Sequence, residues 1–397
     1  MHHEEGERGK VRCLMAAACV AATVEFAALD ASMLDAAREE ARAALADGFR
    51  DLIGGRVTLI ALAERVADMA SDATDDPAMR RVLQEGAFGM FREADALQRA
   101  AERRVPFWIN LGTDAEFEFT ACPAGSFAMG CDGDPNSEDF RHKVRITRPF
   151  WMARFQTTKR LYDTFRKVRD MSEEELLYGG MDIPVGGLSR ADMDAFCEFL
   201  TRGNEGRIPE GYVFRLPTDA EWEYALNANC DDPDDPYVRF RNGDMSVADD
   251  ISVTVGFVDA HRAARGFPAL SCGQGPVFKV GTKRPNAWGI HDMLGNGGET
   301  LFDTMEADIK CDYGEGVFDA GGPFDFGYEG EMVDPVRCSD AAGRLGMMRG
   351  TSRWKRFVPQ WYGRIVVGCG RHHGGHYTFR VVLAPAIVRE RPREERK

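Results

Sequence analysis

Four side chains that can bind a transition metal lie within eight residues near the C-terminus. The segment CGRHHGGHY (369–377) contains Cys369, His372, His373 and His376. A thiolate and neutral imidazoles are ligands that zinc and copper accept. The spacing fits no standard zinc module, however, and a glycine-rich loop imposes no fixed geometry on its side chains. The sequence therefore favours a ligand-contacting surface loop with solvent-exposed histidines over a metal site.

Three carboxylates surround one tryptophan in the segment RLPTDAEWEYA (215–225). Thr218 and Glu221 have the spacing of a capping box, which predicts that a helix begins at this point. A glycosidase-type site requires two carboxylates that face each other across a cleft, and neighbours on one helix do not supply that arrangement. A catalytic role for Asp219, Glu221 and Glu223 is therefore not expected from this pattern.

The overall composition limits the classes of function. The 397 residues carry a formal net charge of −14, with 44% hydrophobic and 29% charged side chains, which is typical of a globular protein. Such an acidic chain is not expected to bind nucleic acid, because phosphate recognition requires a basic surface. The ten cysteines include no CxxC pair, so neither a zinc ribbon nor a thioredoxin-like site is expected.

The first 28 residues contain an apolar run, CLMAAACVAATV (13–24), that is too short to span a membrane. Residues 1–28 are therefore interpreted either as a signal peptide or as the first buried helix. We favour export to the periplasm or the extracellular space, with a cytoplasmic location as the alternative. No membrane-spanning segment is expected.

The chain then continues with a helical pattern. Residues 29–105 are rich in Ala, Leu, Glu and Arg, with apolar positions at helical spacing. Asp76 followed by Pro77 marks one predicted helix start, since an acidic cap and a proline in the first turn both favour helix initiation. These features predict a small α-helical module that packs or docks without chemistry of its own.

Residues 106–390 differ from the helical part in composition and in the length of their apolar segments. Short aromatic segments alternate there with Gly, Pro and Asn, which is typical of an α+β domain with much irregular structure. Thr158 and Ser189 are the predicted starts of two helices within it. A charged tail, residues 391–397, follows.

Six motifs occur in order within this second part. They are CPAGSFAMGCDGD (122–134), HKVRITRPFWMARFQTTKRLYDTF (142–165), RLPTDAEWEYA (215–225), VGTKRPNAWGIHDMLGNGGET (280–300), MRGTSRW (348–354) and TFRVVLAP (378–385). The series resembles that of the formylglycine-generating enzyme, or sulfatase-modifying factor, family over about residues 106–388. The resemblance implies an irregular C-type-lectin-like fold in which the RLPTDAEWEYA segment is structural. It therefore implies that Asp219, Glu221 and Glu223 serve as caps and as partners in buried ion pairs.

The resemblance also implies where catalytic chemistry would lie. Formylglycine-forming members of the family bind Cu(I) with two cysteines that follow the element corresponding to residues 349–352 here. The family's spacing places Lys355 and Gln360 at those two positions. Because neither side chain is a thiolate, we expect no copper site and no formylglycine formation.

A calcium site is implied by the same resemblance in the segment DMLGNGGET (292–300). Asp292 and Glu299 would supply carboxylate oxygens, and Gly295 and Gly297 would supply backbone carbonyls. Calcium prefers such hard oxygen ligands. The alternative interpretation is an Asx-type turn with a salt-bridged glutamate.

A ligand-binding surface is expected in two C-terminal loops, 353–363 and 368–377. Aromatic faces and hydrogen-bond donors there suit a polar ligand with apolar edges, such as a sugar or a peptide. The residues expected to line this surface are Trp354, Trp361, Tyr362, Arg364, His372, His373 and His376.

Three functions follow from these expectations. The leading one is a non-catalytic binding or accessory module that lacks the copper-binding cysteine pair. The first alternative is a sulfatase-maturase-related oxidoreductase with an altered active site. The second is a protein-interaction protein that docks a protein partner through its helical N-terminal module.

Overall fold

The computed structural model divides the chain into two compact units, Met1–Phe107 and Trp108–Lys397. The residues that it describes are 48, 51–52, 58–73, 76–94, 96–112, 115–130, 141–168, 170–253, 255–265, 277–305, 331–336, 345–350, 365–368 and 377–387. Within these residues, no helix has both the length and the apolar character needed to cross a membrane.

The first unit contains three described helices, α1 (Leu59–Asp72), α2 (Pro77–Glu93) and α3 (Leu97–Glu102). The carboxylate of Asp76 accepts the N–H of Met79 and caps α2, which confirms the helix start predicted at this position. The two longer helices each bury an apolar stripe at helical spacing. The stripe is Leu62, Val66 and Ala70 in α1, and Leu83, Ala87 and Phe91 in α2.

Short strands dominate the rest of the described chain, because aromatic and β-branched segments are interrupted every few residues by turn-forming residues. The strands are β1 (Phe107–Asn110), β2 (Glu116–Cys122), β3 (Gly125–Met129), β4 (His142–Ile146), β5 (Phe150–Ala153), β6 (Tyr212–Arg215), β7 (Ser252–Val253), β8 (Leu294–Gly295), β9 (Gly298–Met305), β10 (Met332–Val333), β11 (Leu345–Arg349), β12 (Ile365–Gly368), β13 (Tyr377–Phe379) and β14 (Val382–Pro385).

The strands form four small sheets, with orders β1-β2-β5-β14-β6, β10-β4-β3, β12-β11-β9-β13 and β7-β8. Strand β14, late in the sequence, lies between β5 and β6 and is antiparallel to both. Strand β9 lies between β11, which is antiparallel to it, and β13, which is parallel to it. The short connection from β13 to β14 therefore joins the two largest sheets.

Helices interrupt the strands where the sequence supplies caps. The described helices of the second unit are α4 (Lys159–Asp163), α5 (Glu173–Tyr178), α6 (Arg190–Gly203), α7 (Asp219–Asn227), α8 (Pro236–Arg241), α9 (Ala248–Ile251) and α10 (Val255–Ala263). The predicted starts of α4, α6 and α7 are confirmed, because Thr158, Ser189 and Thr218 are their N-caps. Ser189 and Thr218 also form full capping boxes, with Asp192 and Glu221.

The core of the second unit is aromatic. Trp222 and Tyr224 on α7 are buried in one cluster with Phe150 of β5 and with Trp288. The rings of Tyr224 and Trp288 meet edge to face with their centroids 5.1 Å apart, an arrangement that favours packing beyond area burial alone. Mixed helices and short curled strands around this core confirm the predicted α+β class.

Candidate functional site

The segment from Asp292 to Glu299 contains β8, a tight turn at Asn296 and Gly297, and the start of β9. Asp292, Gly295 and Asn296 adopt positive φ angles of 57°, 79° and 58°. Only glycine adopts such angles freely, with Asn and Asp as the most tolerant other residues, so the local sequence suits the turn. The turn directs several main-chain carbonyl groups towards the protein interior, where they meet one side chain from a distant segment.

That side chain is Gln156, whose Nε2 lies among four oxygen atoms. Nε2 is 3.2 Å from the carbonyl oxygen of Asp292, 3.5 Å from that of Gly295 and 2.8 Å from that of Gly297. It is also 3.1 Å from Oε1 of Glu299. We call these four oxygens the oxygen cage. All four residues expected from the sequence at a calcium site thus contribute to one convergent set.

Asp292 contributes to the cage differently from the sequence-based expectation. Its main-chain carbonyl faces Gln156, whereas Oδ2 of its carboxylate accepts the N–H of Gly281 at 2.7 Å. Burial raises the pKa of this carboxyl group to about 6, although the Gly281 N–H and the charge of Arg380 act in the opposite direction. Asp292 is thus a buried acid whose negative charge is only partly compensated.

Glu299 is held in place by two other side chains. Arg380 pairs with its carboxylate, with Nη2 2.6 Å from Oε1 and Nε 3.0 Å from Oε2. Nε1 of Trp222 donates to Oε2 at 2.8 Å. Neither charged side chain of the pair has any solvent exposure. The salt-bridged glutamate of the alternative interpretation is therefore present, and it coexists with the convergent cage.

Arg380 also connects the cage to the surrounding sheets. Its Nη1 donates to the carbonyl oxygen of Ala153 at 2.8 Å, and its Nη2 donates to that of His291 at 2.8 Å. Ala153 ends β5, and Arg380 itself lies between β13 and β14. The guanidinium group therefore fixes the turn against the five-stranded sheet through hydrogen bonds that a lysine could not reproduce.

The three carboxylates of the RLPTDAEWEYA segment are not part of the oxygen cage. They pair with arginine side chains. Glu221 forms a two-pronged pair with Arg215, with both N–O distances at 2.7 Å. Arg349 joins Asp219 at 2.6 Å and Glu223 at 2.7 Å. The expectation that these three acids serve as caps and buried-pair partners is confirmed. They link α7 to β6 and β11, and the segment holds the fold together.

The donor set of the cage fits a hard cation. Calcium binds six to eight oxygens, including backbone carbonyls, side-chain amides and carboxylates. The cage provides four oxygens around one point, and none of its four atoms is a soft ligand such as a thiolate. The described residues contain no cluster of three or more His, Cys, Asp or Glu side chains that could hold a metal ion. Carbonyl oxygens would therefore be the main ligands.

Gln156, Trp222 and Arg380 were not predicted from the sequence as parts of this site. Each lies in one of the six motifs, so membership of a motif was the signal that could have identified it. Their contacts could not be derived from spacing, because Gln156 and Arg380 are far from the turn in sequence and reach it only through the sheet arrangement.

The residues expected to bind a ligand lie outside the described part of the chain. This holds for Trp354, Trp361, Tyr362, Arg364, His372, His373 and His376, and also for Lys355 and Gln360. Two of the described residues that flank these loops, Gly350 before the first and Tyr377 at the end of the second, lie beside Gly298. A β-carbon at Gly298 would lie 3.4 Å from the carbonyl oxygen of Gly350 and 3.8 Å from Cδ1 of Tyr377. One loop therefore leaves the sheet beside the point where the other returns.

A comparison with family models matches residues 112–356 to the family described as "Sulfatase-modifying factor enzyme 1-like domain". This match covers more than half of the chain. No curated protein matches the chain.

Solved structures provide further likenesses. The chain is similar to Treponema denticola variable protein 1, with 17% identity over 71% of this chain and 99% of that one, and a TM-score of 0.48. PvdO from Pseudomonas aeruginosa has 20% identity over 70% of this chain and 97% of its own, with a TM-score of 0.48. CarF has 17% identity over 67% and 97%, with a TM-score of 0.43.

Proposed function

The chain belongs to the sulfatase-modifying factor family, and from that premise we propose that it is a non-catalytic binding or accessory module. Its family domain has the C-type-lectin-like fold of formylglycine-generating enzymes, and a helical segment precedes it. Fold alone does not imply activity, so the proposal depends on the residues at the position where the family's chemistry occurs.

The observation that carries the proposal is the pair Lys355 and Gln360. By the family resemblance, formylglycine-forming relatives have two copper-binding cysteines at the equivalent positions. Cu(I) is a soft ion that selects thiolates, and neither an ammonium group nor a carboxamide replaces them. A sulfatase-maturase-related oxidoreductase with an altered active site would require a different set of ligands, for which the histidine-rich loop 369–377 is the available source.

The test of the non-catalytic proposal is a direct assay of the family reaction. A peptide containing a sulfatase cysteine motif is incubated with the protein, Cu(I) and oxygen, and its mass is measured. We expect the peptide cysteine to remain unmodified. The double variant K355C/Q360C, which restores both thiols, is the matched comparison. Formylglycine formation by the unaltered chain would show that it is an enzyme and would overturn the proposal.

For the ligand, we propose a sugar or a peptide bound by the loops that contain Trp354, Trp361, Tyr362, Arg364, His372, His373 and His376. Support comes from the positions of Gly350 and Tyr377, which both lie beside Gly298. A loop that begins beside the end of another can share one binding surface with it, and loops carry binding residues more often than regular elements. The alternative is a protein partner that docks through the helical module.

Calcium is proposed as the structural ion of the family domain. The carbonyl oxygens of Asp292, Gly295 and Gly297 and the Glu299 carboxylate would hold it. When bound, the ion would supply positive charge to a buried turn that contains two acidic residues. Export from the cytoplasm, proposed from residues 1–28, would place the protein where calcium concentrations are high.

A further inference from the structure

The strongest unexplained feature of the molecule is the position of the Gln156 side chain. Its Nε2 has four oxygen acceptors within 3.5 Å. An amide nitrogen carries two hydrogens and can make two good hydrogen bonds at once. The cage therefore contains more acceptors than this amide can satisfy.

Two further buried oxygens of these residues also lack a hydrogen-bond donor. Oε1 of Gln156 and Oδ1 of Asp292 have no hydrogen-bond partner among the described residues. Gln156 is fully buried and Asp292 is 1% exposed, so bulk water does not reach either side chain. A buried polar atom without a partner destabilises the folded state, because it has lost its hydrogen bonds to water. The amide thus partly satisfies the cage while its own oxygen stays unpaired.

A cation in the cage would offset the excess of acceptors and give Oε1 of Gln156 a partner, because one positive ion attracts all surrounding oxygens at the same time. Glu299 cannot rearrange to meet it, since Arg380 and Trp222 hold both of its oxygens. The main-chain carbonyls are fixed by the turn. Gln156 is the group that can adapt, because the hydrogen bonds of its side chain are those of Nε2 to the cage.

We propose that Gln156 is an exchangeable ligand of the cage, an inference that rests on the calcium site proposed above. Without the ion, its N–H groups occupy the oxygen cage. When calcium binds, the side chain turns so that Oε1 becomes a ligand of the ion. Gln156 thereby stabilises the turn in both states, which a residue lacking either the donor or the acceptor could not do.

This role requires that the side chain at position 156 carries no charge. A glutamate at position 156 would place a third carboxylate beside Glu299 and Asp292. Without calcium, these like charges would repel one another in a buried site. With calcium, the additional carboxylate would be a stronger ligand than an amide. Glutamine is therefore the residue that permits an ion-free fold.

The experiment compares calcium binding by the full chain and by the variants Q156E and Q156M. The protein is purified in chelator and titrated with calcium chloride by calorimetry, and its melting temperature is measured with and without calcium. We expect Q156M to bind calcium at least roughly tenfold more weakly than the wild type, since an oxygen ligand is lost. Q156E should melt lower than the wild type in chelator and show a larger stabilisation by calcium.

The control is Q98E, which adds the same charge at a partly exposed helical position far along the chain from the cage. It should match the wild type in calcium affinity and in its calcium-induced melting shift. NMR tests the movement of the side chain itself. The side-chain N–H resonances of Gln156 are identified by their absence from the spectrum of Q156E, and they should shift when calcium binds the wild type.

The outcomes separate the two proposals. If the wild type binds calcium and both position-156 variants bind with unchanged affinity, the role of Gln156 is wrong and the calcium site stands. An unshifted Gln156 amide signal in the calcium-bound protein would also contradict the role of Gln156, even if Q156M fails to fold. If the wild type binds no calcium at millimolar concentration, both the calcium site and the role of Gln156 are wrong.

Discussion

Arg380 illustrates at the level of single residues how the turn depends on one buried charge. In the variant R380M, the long side chain is kept but Glu299 loses its counter-charge and its hydrogen bonds to the guanidinium group. Removing one partner of a buried ion pair typically costs about 3–5 kcal/mol of unfolding free energy, because the other charge stays buried. We expect a loss in this range, measured by urea unfolding monitored through tryptophan fluorescence.

The control for this change is R202M. Arg202 and Glu198 form a surface pair at 3.4 Å in which both side chains are 67% exposed. Such pairs contribute about 0–1 kcal/mol, so R202M should unfold close to the wild type. Equal effects of the two substitutions would mean that the buried pair does not stabilise the fold as argued.

Glu221 provides a prediction about pH. Burial opposes its ionisation, but the charge and hydrogen bonds of Arg215 and the N–H of Thr218 outweigh this, so the pKa of Glu221 lies below its usual value of 4.5. A lowered pKa in the folded state adds stability above the unfolded-state pKa, and that stability is lost as the pH falls through the folded-state pKa. The advantage of the wild type over E221Q should therefore shrink as the pH falls below about 4.5. Urea midpoints measured across acidic pH would test this, and a constant difference would contradict it.

The sequence predicted those residue roles that depend on near neighbours. Thr218 and Glu221 cap α7 because their partners are three residues apart, which is visible in the sequence. Gln156 could not be assigned a role in this way. Its acceptors come from a turn more than a hundred residues later, and its conformation follows from the tertiary fold.

At the level of elements, the turn between β8 and β9 depends on Gly295, the last residue of β8. A β-carbon there would collide with Ser252 Oγ and lie 3.0 Å from the carbonyl oxygen of Val253, at a φ of +79°. The left-handed conformation costs a non-glycine residue about 1–2 kcal/mol, and overpacking adds about 1–3 kcal/mol. G295A should therefore lose about 2–5 kcal/mol of unfolding free energy and weaken calcium binding.

Gly289 provides a matched control for this change. Its φ is +81°, and a β-carbon there would have nothing within 4 Å. G289A thus tests the backbone strain without the collision and should cost about 1–2 kcal/mol. If the two alanine variants unfold alike in urea, the close approach of β7 to the turn does not constrain position 295.

The C-terminal loops lead to a prediction about binding. Replacing His372 and His373 with alanine should abolish binding of a sugar or peptide selected by array screening, because the two imidazoles are proposed to contact it. Melting should change by no more than a degree or two, since exposed substitutions usually cost little. Retained binding, or a large drop in melting temperature, would place the ligand elsewhere or place the histidines in the core.

Helices were easier to predict than strands for a physical reason. A helix has local hydrogen bonds and marked ends, and Thr158, Ser189 and Thr218 identified three starts correctly. Strands such as β7 and β8 have two residues each and exist only through pairing with each other. Nothing in so short a segment specifies its partner, so the four sheets could not be derived from local pattern.

At the level of the whole molecule, the order of the six motifs was more informative than any one of them. Trp222 from the third motif donates to Glu299 of the fourth, and Arg380 of the sixth completes the cluster. Arg349 of the fifth motif pairs with the acids of the third. The motifs form one connected buried network, which explains why their joint presence predicts the fold.

This network also leads to a prediction about independent folding. The cage, its partners and the strands from β2 to β14 all belong to the second unit, Trp108–Lys397. We therefore expect a fragment of residues 106–397 to unfold cooperatively and to show the same calcium-induced melting shift as the full chain. Calorimetry on both proteins measures this.

The matched comparison is a fragment that begins at residue 116 and lacks β1. Strand β1 lies at the edge of the five-stranded sheet beside β2, so its removal exposes one ladder of backbone groups and leaves the cage untouched. This shorter fragment should melt at a lower temperature with an unchanged calcium shift. If residues 106–397 fail to fold while the full chain does, the helices supply part of the stability of the second unit. The predicted boundary near residue 105 would then separate two segments of one cooperative structure, since a domain must fold on its own contacts.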